Sequence, residues 1–422
     1  MFALDFINTA AFGGVVLFAG HGVRRLIPWL ARYNVPAPVI GGLIVAVTVL
    51  AARSRGVDLV AFDTRLQMPM MIAFFTTVGF GASVSLLKTG GPQVVIFLAL
   101  ATVLAVLQNV VGIALAQPLG MPPLFGVLNG SVTLAGGPAT GLAFAPQFEQ
   151  AGVAGAATVA VAASMVGIVT GGLLGGPIGT ILIERYRLRR PLGVRGASPA
   201  SHRMQSALRH GLLGGIGPTE PPLAAFIVPS TPAGEDKESY ALLKALVVIL
   251  VAMWIGSWVS SRITTMGITL PGYIGAMLVA AAMRNVDDVA GVIGLSQRVI
   301  DDIGSVALSL FLVLALMTLQ LWQLAAVALP MLIILAAQIL LVAVACWLVF
   351  RLMGGDYDAA VMSGGLCGFM LGITANAMAS METIVDRYGP APRAYLVVPM
   401  VGAFFIDFTN ALLITVCLNI WS

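Results

Sequence analysis

The sequence predicts an all-α integral membrane protein of about ten transmembrane helices, arranged as two inverted five-helix repeats that each carry a glycine-rich re-entrant hairpin. Three observations lead there: an apolar composition, ten apolar runs of membrane-spanning length, and landmarks that recur at a constant offset of 235 residues. Of the 422 residues, 59% are hydrophobic and only 9% are charged. A soluble domain carries roughly 25% charge, and this chain has too little to cover a water-facing surface of its size.

The apolar runs fall at about residues 6–22, 35–52, 68–87, 93–119, 153–183, 242–260, 268–283, 303–322, 324–353 and 394–421. Most approach or exceed the roughly 20 residues needed to cross the hydrocarbon core. Residues 184–243 form the long polar interruption, with arginines at 185, 187, 189, 190, 195, 203 and 209 followed by a Pro-rich stretch. SHRMQSALRHGLL within it reads equally as an amphipathic surface helix or as a solvated loop. The N-terminal run has Asp5 in place of a basic region and is followed by Arg24 and Arg25, so it is expected to be an uncleaved first helix rather than a signal peptide.

Charge sets the expected orientation. With both termini outside and the linker inside, 18 Lys and Arg fall on the cytoplasmic side and Arg53, Arg55, Arg65 and Arg262 outside. Such a split follows the positive-inside rule and gives five spans before the linker and five after it. The expected division is a first repeat at 1–183, a cytoplasmic linker at 184–243 and a second repeat at 244–422. Pro36 and Pro271, Gly120 and Gly355, Met165-Val166-Gly167 and Met400-Val401-Gly402, and the ends of GVLNGSVTLAGG (Gly137) and AVMSGGLCGFMLG (Gly372) all lie 235 apart. Constant spacing implies homologous halves, and an odd number of spans per half implies inversion, a feature of transporters.

Two segments break the helical pattern at matched places, 122–147 and 357–381. Both are apolar yet crowded with glycine, and the topology leaves neither room to cross fully. They are expected to be helix–break–helix hairpins, the first entering from outside and the second from inside. Irregular backbone at membrane depth is tolerated only against protein or a water-filled cavity. Freed N–H groups at a half-helix start can bind a carboxylate, and freed carbonyls can hold a cation. The polar candidates are Ser131, Thr133 and Thr140 in the first hairpin and Thr374, Asn376 and Ser380 in the second. Taken alone, one such segment could equally be small-residue helix packing; two at matched positions point to a site.

Asp407 lies deep in the last apolar run, where a carboxylate is costly unless paired, hydrated or protonated, and Asn410 shares its helical face. Carboxylate and amide oxygens together suit a hard cation such as Na⁺, while a structural ion pair is the competing reading. Gln108 and Asn109, mid-helix in the fourth run, either line the site or bridge helices. Cys346, Cys367 and Cys417 are scattered and give neither a disulfide framework nor a metal site. No phosphate-binding loop, zinc-protease motif or soluble catalytic carboxylate pair is present, so the chain does not read as an enzyme. The absence of a basic stripe with interleaved aromatics argues against nucleic acid.

The stretches VVPMVGAFFID (397–407), WQLAAVALPML (322–332), PAPVIGGL (36–43), QNVVGIALA (108–116) and NGSVTLAGG (129–137) resemble the bacterial glutamate:sodium symporter family, in order and over nearly the whole chain. The resemblance implies secondary active uptake of L-glutamate with Na⁺ as coupling ion and no other cofactor. It also implies a homodimer in the inner membrane lipid bilayer and an elevator-like movement. Carried over by position, Ser131, Thr133, Gly136, Gly137, Thr140, Gly368, Gly372 and Thr374 are the loop residues, and Gln108, Asn109, Arg387, Asp407 and Asn410 also match. The family tends to read GGHGT in the first loop and LGATPTAIANM in the second. This chain reads GGPAT, with Pro138 and Ala139, and LGITANAMASM, in which Ala375, Asn376 and Ser380 replace proline, threonine and asparagine. Those departures bear on substrate choice more than on mechanism. The alternatives are a carrier of another small carboxylate or amino acid, a proton-coupled carrier, and a channel, since re-entrant loops also build selectivity filters.

The topology is checked by labelling. A cysteine at Ser198 is expected to react with an impermeant thiol reagent only from the cytoplasmic side, and reaction on intact cells would rule out the five-plus-five arrangement.

Overall fold

The structure is a computed structural model that describes residues 2–57, 60–89, 91–188, 237–266, 271–291 and 293–421. Most of the polar linker, including the candidate amphipathic helix, lies outside the described residues. The first half consists of α1 (Phe6–Leu26), α2 (Pro28–Arg32), α3 (Ala37–Arg53), α4 (Gln67–Gly81), α5 (Val84–Thr89), α6 (Gly91–Ala116), α7 (Pro123–Val127), α8 (Gly137–Gln150) and α9 (Ala156–Arg185). The second half consists of α10 (Lys237–Thr265), α11 (Gly272–Ala290), α12 (Gln297–Met317), α13 (Ala328–Leu352), α14 (Tyr357–Met370), α15 (Thr374–Tyr388), α16 (Pro392–Met400) and α17 (Ile406–Trp421). Each of the ten apolar runs holds a helix. Six of them, α1, α6, α9, α10, α12 and α13, are long and apolar enough to cross a membrane. The tenth run is divided into α16 and α17 by a π-turn at Val401–Phe405.

Local signals explain the boundaries. Asp5 caps α1 by accepting from Asn8 N at 2.8 Å, and Asp356 caps α14 by accepting from Ala359 N at 2.9 Å, each satisfying an N–H that a helix start leaves open. Pro36 and Pro271, 235 apart, are the N-cap residues of α3 and α11, and these helices begin 235 apart. Gly56 and Gly291 follow the same two helices, both with the positive φ that only glycine adopts without strain. The starts of α3 and α11 thus repeat the offset seen in the sequence.

The helices pack in two groups. In one, α1 lies on α3 and α12, α3 on α12, α4 on α11 and α12, and α10 on α11. In the other, α6 lies on α7 and α13, α9 packs against α8, α14 and α15, and α14 also meets α13 and α15. Each half contributes its first three long helices to the first group and its remaining elements to the second. The groups meet at an aromatic contact: Tyr273 on α11 lies 4.8 Å from Phe75 of α4 and 5.3 Å from Phe144 of α8, edge-on to the latter.

Lipid is as apolar as the helices, so packing and internal hydrogen bonds hold membrane helices together rather than water exclusion. Small residues make that packing close. On α9, Gly167, Gly171, Gly175 and Gly179 face the backbone oxygens of Leu371, Gly368, Gly364 and Ala360, so the glycine row tracks α14 turn by turn. Gly112 of α6 and Gly126 of α7 approach so nearly that a Cβ on either would collide with the other's backbone. Gly112→Ala is therefore expected to destabilise the detergent-solubilised protein by about 1–3 kcal/mol through overpacking. Gly14→Ala, with nothing within 4 Å of the added carbon, is expected to be neutral or slightly stabilising. Equal melting temperatures for the two would mean that the α6–α7 approach is not tight.

Candidate functional site

The two broken segments supply the site's frame. In the first, α7 runs into a π-turn at Leu128–Val132 in which Gly130 leaves helical conformation, with φ −104° and ψ −126°, before α8 begins at Gly137. In the second, α14 ends at Met370, and Ile373 is extended before α15 begins at Thr374. Hairpin arms α8, α14 and α15 have 14, 14 and 15 residues. At about 1.5 Å rise per residue, none reaches the roughly 30 Å of a hydrocarbon core.

The breaks meet. A Cβ on Gly137, which has φ +67°, would lie 3.2 Å from Ile373 Cγ2 and 3.7 Å from Gly372 O. Thr374 donates its hydroxyl to Gly402 O in the π-turn before α17. Gly136 packs inside its own hairpin, against Thr140 and Val132 O, and Gly368 lets α14 approach the backbone of α15 at Ala377. Gly368 is thus a packing residue between arms, while Gly137 and Gly372 stand where the tips touch.

Side-chain amides satisfy the freed backbone. Adjacent residues of α6 reach the two hairpins: Gln108 Nε2 donates to Met370 O at 3.0 Å, at the end of α14, and Asn109 Oδ1 accepts from Ser131 N at 3.0 Å. Asn410 Nδ2 of α17 donates to Ser131 O at 2.9 Å, so both backbone groups of Ser131, next to the distorted Gly130, are held by asparagines. Gln338 Nε2 of α13 donates to Gln108 O at 2.6 Å, and Asn129 Nδ2 donates to Phe125 O at 2.9 Å. Asn376 Nδ2 donates to Ile168 O of α9 at 2.7 Å. Thr133 donates to Leu128 O at 2.8 Å.

A consistent remainder is left. Gln108 Oε1, Asn129 Oδ1, Gln338 Oε1, Asn376 Oδ1 and Asn410 Oδ1 are buried without a partner, as are the hydroxyls of Ser131 and Ser380. In all five amides the nitrogen is used on a backbone carbonyl and the oxygen is not. Asp407, half-buried in the first turn of α17, has no hydrogen-bond or ion-pair partner among the described residues. Unpartnered acceptors and a carboxylate are the donor set of a hard cation. No cluster of three or more His, Cys, Asp or Glu that could hold a transition metal occurs among the described residues.

Gln108, Asn109, Asn410, Ser131 and Thr133 are therefore brought together with the first break, and Gly372, Thr374 and Gly137 with the tips. Asn376 and Ser380 share one face of α15, turned toward α9, where Ser380 lies against Gly175. Arg387 is placed elsewhere: it pairs with Glu184 at 3.2 Å, both side chains more than half exposed, at the far end of α15. That placement does not support Arg387 as a ligand at the tips. Gln338 and Asn129 were missed by sequence reasoning; Gln338 carried the same signal as Gln108, an amide in the middle of an apolar run.

The profile of the family described as Sodium/glutamate symporter matches residues 2–202 and 229–390. The chain is 38% identical to the sodium/glutamate symporter of Escherichia coli (strain K12) over 416 residues, 98% of this chain and 97% of that protein. The Shigella flexneri protein of the same name matches equally. The sodium/glutamate symporter of Haemophilus influenzae is 37% identical over 415 residues, 97% of this chain and 96% of that one.

The asparagine clamp on Ser131 has a measurable consequence. Asn109→Ala should cost about 1–3 kcal/mol of stability, because it takes the side-chain acceptor from buried Ser131 N, and Asn410→Ala should cost less, because Ser131 O still accepts from Ala135 N and Gly136 N. Since both hold one residue, the double variant should cost less than the sum by at least about 0.5 kcal/mol. Simple additivity in a thermal-denaturation cycle would show that they do not act on a common element.

Proposed function

The chain belongs to the sodium/glutamate symporter family, and from that premise we propose that it is a secondary active symporter that takes up L-glutamate with Na⁺, not an enzyme. The observation that carries the reading is the one-sided chemistry at the breaks, where amide nitrogens are spent on backbone carbonyls and amide oxygens are left over. A carboxylate without a counter-charge at that depth is tolerable when a bound cation offsets it. Na⁺ would be held by Asp407, Asn410 and Gln108, with Asn129, Ser131 and Gln338 within the same connected set; Asn109 positions Ser131 and has its oxygen already engaged. The substrate carboxylates would meet freed N–H groups at the hairpin tips, around Gly137, Thr140, Gly372 and Thr374.

The chain is a multi-pass bacterial membrane protein. We propose in addition that its halves are inverted repeats, that the two broken segments are re-entrant, and that both termini are periplasmic. The matched starts of α3 and α11, short hairpin arms and the charge distribution support this. The division into 1–183, 184–243 and 244–422 follows from the same repeat. Two helix groups joined through an apolar aromatic contact suit an elevator-like displacement of the hairpin-bearing group against the other. A homodimer is proposed on the family resemblance alone.

Radiolabelled uptake into proteoliposomes tests the function. L-glutamate should enter saturably and follow an imposed Na⁺ gradient, in competition with L-aspartate and other small dicarboxylates offered as a panel. Uptake driven by a proton gradient without Na⁺, or an unsaturable conductance, would replace this reading with one of its alternatives. Asp407→Asn keeps the side chain's shape and removes its charge. It should raise the Na⁺ concentration for half-maximal uptake about tenfold or more, equivalent to about 1.4 kcal/mol of ion binding. Because binding linkage is reciprocal, glutamate affinity should suffer at low Na⁺ and recover at saturating Na⁺. An unchanged Na⁺ dependence would assign Asp407 a structural role.

A further inference from the structure

Two described connections join the helix group of α4, α11 and α12 to the hairpin-bearing group: residues 82–89 between α4 and α6, and residues 318–327 between α12 and α13. They sit at opposite ends of the α4–α12 pair. Gln67, which starts α4, shares a cavity with Thr318, just past α12, whereas Ser83, just past α4, reaches α11 residues that in turn contact Gln297, which starts α12. Ser83 and Thr318 are 235 apart.

Each connection is gripped from a corresponding place, the C-terminal end of the second long helix in the opposite half, and the gripping residues Arg53 and Asp288 are themselves 235 apart. The grips differ in chemistry. Ser83, buried, donates to Asp288 Oδ2, and Arg284 holds the same carboxylate with Nε 2.9 Å from Oδ1. Asn285 accepts from Val84 N at 2.8 Å and donates to Ala82 O at 2.9 Å, so side chain and backbone of the connection are both fixed. At the other end, Arg53 lies with its guanidinium carbon 4.0 Å from the centroid of the Trp322 ring, and Arg53 is exposed. The connection's hydrogen bond to the hairpin-bearing group is a long one, from Thr158 Oγ1 of α9 to Gln320 O at 3.4 Å, and among its side chains Leu319 is buried in the core.

Space differs as well. The connection after α12 runs between two cavities that share Thr318, Leu319 and Gln320 as lining. One, of about 430 Å³, opens toward Leu142 and Pro146 of α8 and Thr158 of α9. The other, of about 320 Å³, opens toward Val49 and Arg53 of α3 and Phe62. Each exceeds the roughly 30 Å³ share of one water many times over, so open space flanks this segment on both sides.

We propose that the connection after α12 is the moving strap between the two helix groups, that the Arg53–Trp322 stack is the latch holding it in the conformation seen, and that the connection after α4 is a fixed pivot. Bistable packed elements that shift about a few loop residues are the usual means of such movement. The inference rests on the transport reading above, with the hairpin-bearing group as the part that moves.

Crosslinking separates strap from pivot. In a variant with Cys346, Cys367 and Cys417 changed to alanine, the pair Arg53→Cys with Trp322→Cys and the pair Ser83→Cys with Asp288→Cys are each bridged with a flexible bismaleimide in proteoliposomes. Bridging the first pair should reduce Na⁺-driven glutamate uptake at least tenfold, and bridging the second should leave at least half of the unbridged rate. Because the second pair removes a buried network and could impair folding, thiol labelling provides a parallel measurement. Gln320→Cys should change its labelling rate severalfold on adding Na⁺ with glutamate, and Val84→Cys should not. Arrest by the second bridge, survival of the first, or equal labelling responses would overturn the proposal. Absence of Na⁺-dependent uptake before any bridging would instead overturn the transport reading.

Discussion

The constraint on which this structure depends is that a peptide group released from a helix at membrane depth has no water to turn to. Breaking α7 from α8 exposes the backbone of Ser131, and breaking α14 from α15 exposes Met370 O. The chain answers with amides fixed on neighbouring helices: Asn109 and Asn410 for Ser131, Gln108 for Met370, with Gln338 securing the carbonyl of Gln108 itself. Because Gln108 and Asn109 are consecutive, α6 ties both hairpins to one rigid element. A displacement of either break must pull on the other, which is the mechanical condition for a site that moves as a unit.

The same answer produces chemistry. A primary amide carries two donors and an acceptor oxygen with two lone pairs. Where donation satisfies a freed carbonyl, the oxygen is left facing the interior, and several such amides converging on the breaks leave an acceptor-rich environment. Buried polar atoms without partners are expensive, commonly about 1–3 kcal/mol each, so their accumulation in one region calls for an occupant. A dehydrated monovalent cation satisfies oxygens without demanding any donor in return, whereas a water molecule brings lone pairs of its own. On the Na⁺ reading proposed above, the side chains that repair the breaks would also supply oxygens to the ion.

Much of this was legible in the sequence because membrane physics leaves strong marks. The 235-residue offset marked where two helices start, since Pro36 and Pro271 are the N-cap residues of α3 and α11. The broken segments, 122–147 and 357–381, were visible as crowded glycine in apolar surroundings. Other features were not legible. Gly368 and Gly372 look alike in sequence, yet one packs arm against arm and the other stands at a tip, a difference set by what the fold places opposite. Arg387 matched a family position but pairs with Glu184, because its partner, 203 residues earlier in the chain, becomes a neighbour only through α9. Nor could spacing show that Asn109 spends its oxygen on Ser131 N while Asn410 keeps its own free.

The 235-residue offset does not extend to the polar residues. Shifted by 235, the residues around the breaks fall on positions that lack their chemistry: Asn129 on Gly364, Ser131 on Leu366, Thr133 on Gly368, Asn376 on Gly141 and Ser380 on Ala145. Gln108, Asn109, Asp407 and Asn410 fall on Ala343, Val344, Gly172 and Gly175. Gly175, at the offset from Asn410, approaches Gly364, at the offset from Asn129, and there two glycine backbones meet, with an added Cβ 2.8 Å from the opposing oxygen. At the first hairpin, Asn410 holds a broken helix; at the second, two glycines let an unbroken stretch of α14 lie against α9, with Ser380 of α15 beside them. The polar set therefore draws on both halves of the chain and has no equivalent at the 235-residue offset. Such a set exists once per chain, and it remains intact only while both hairpins keep their register on α6.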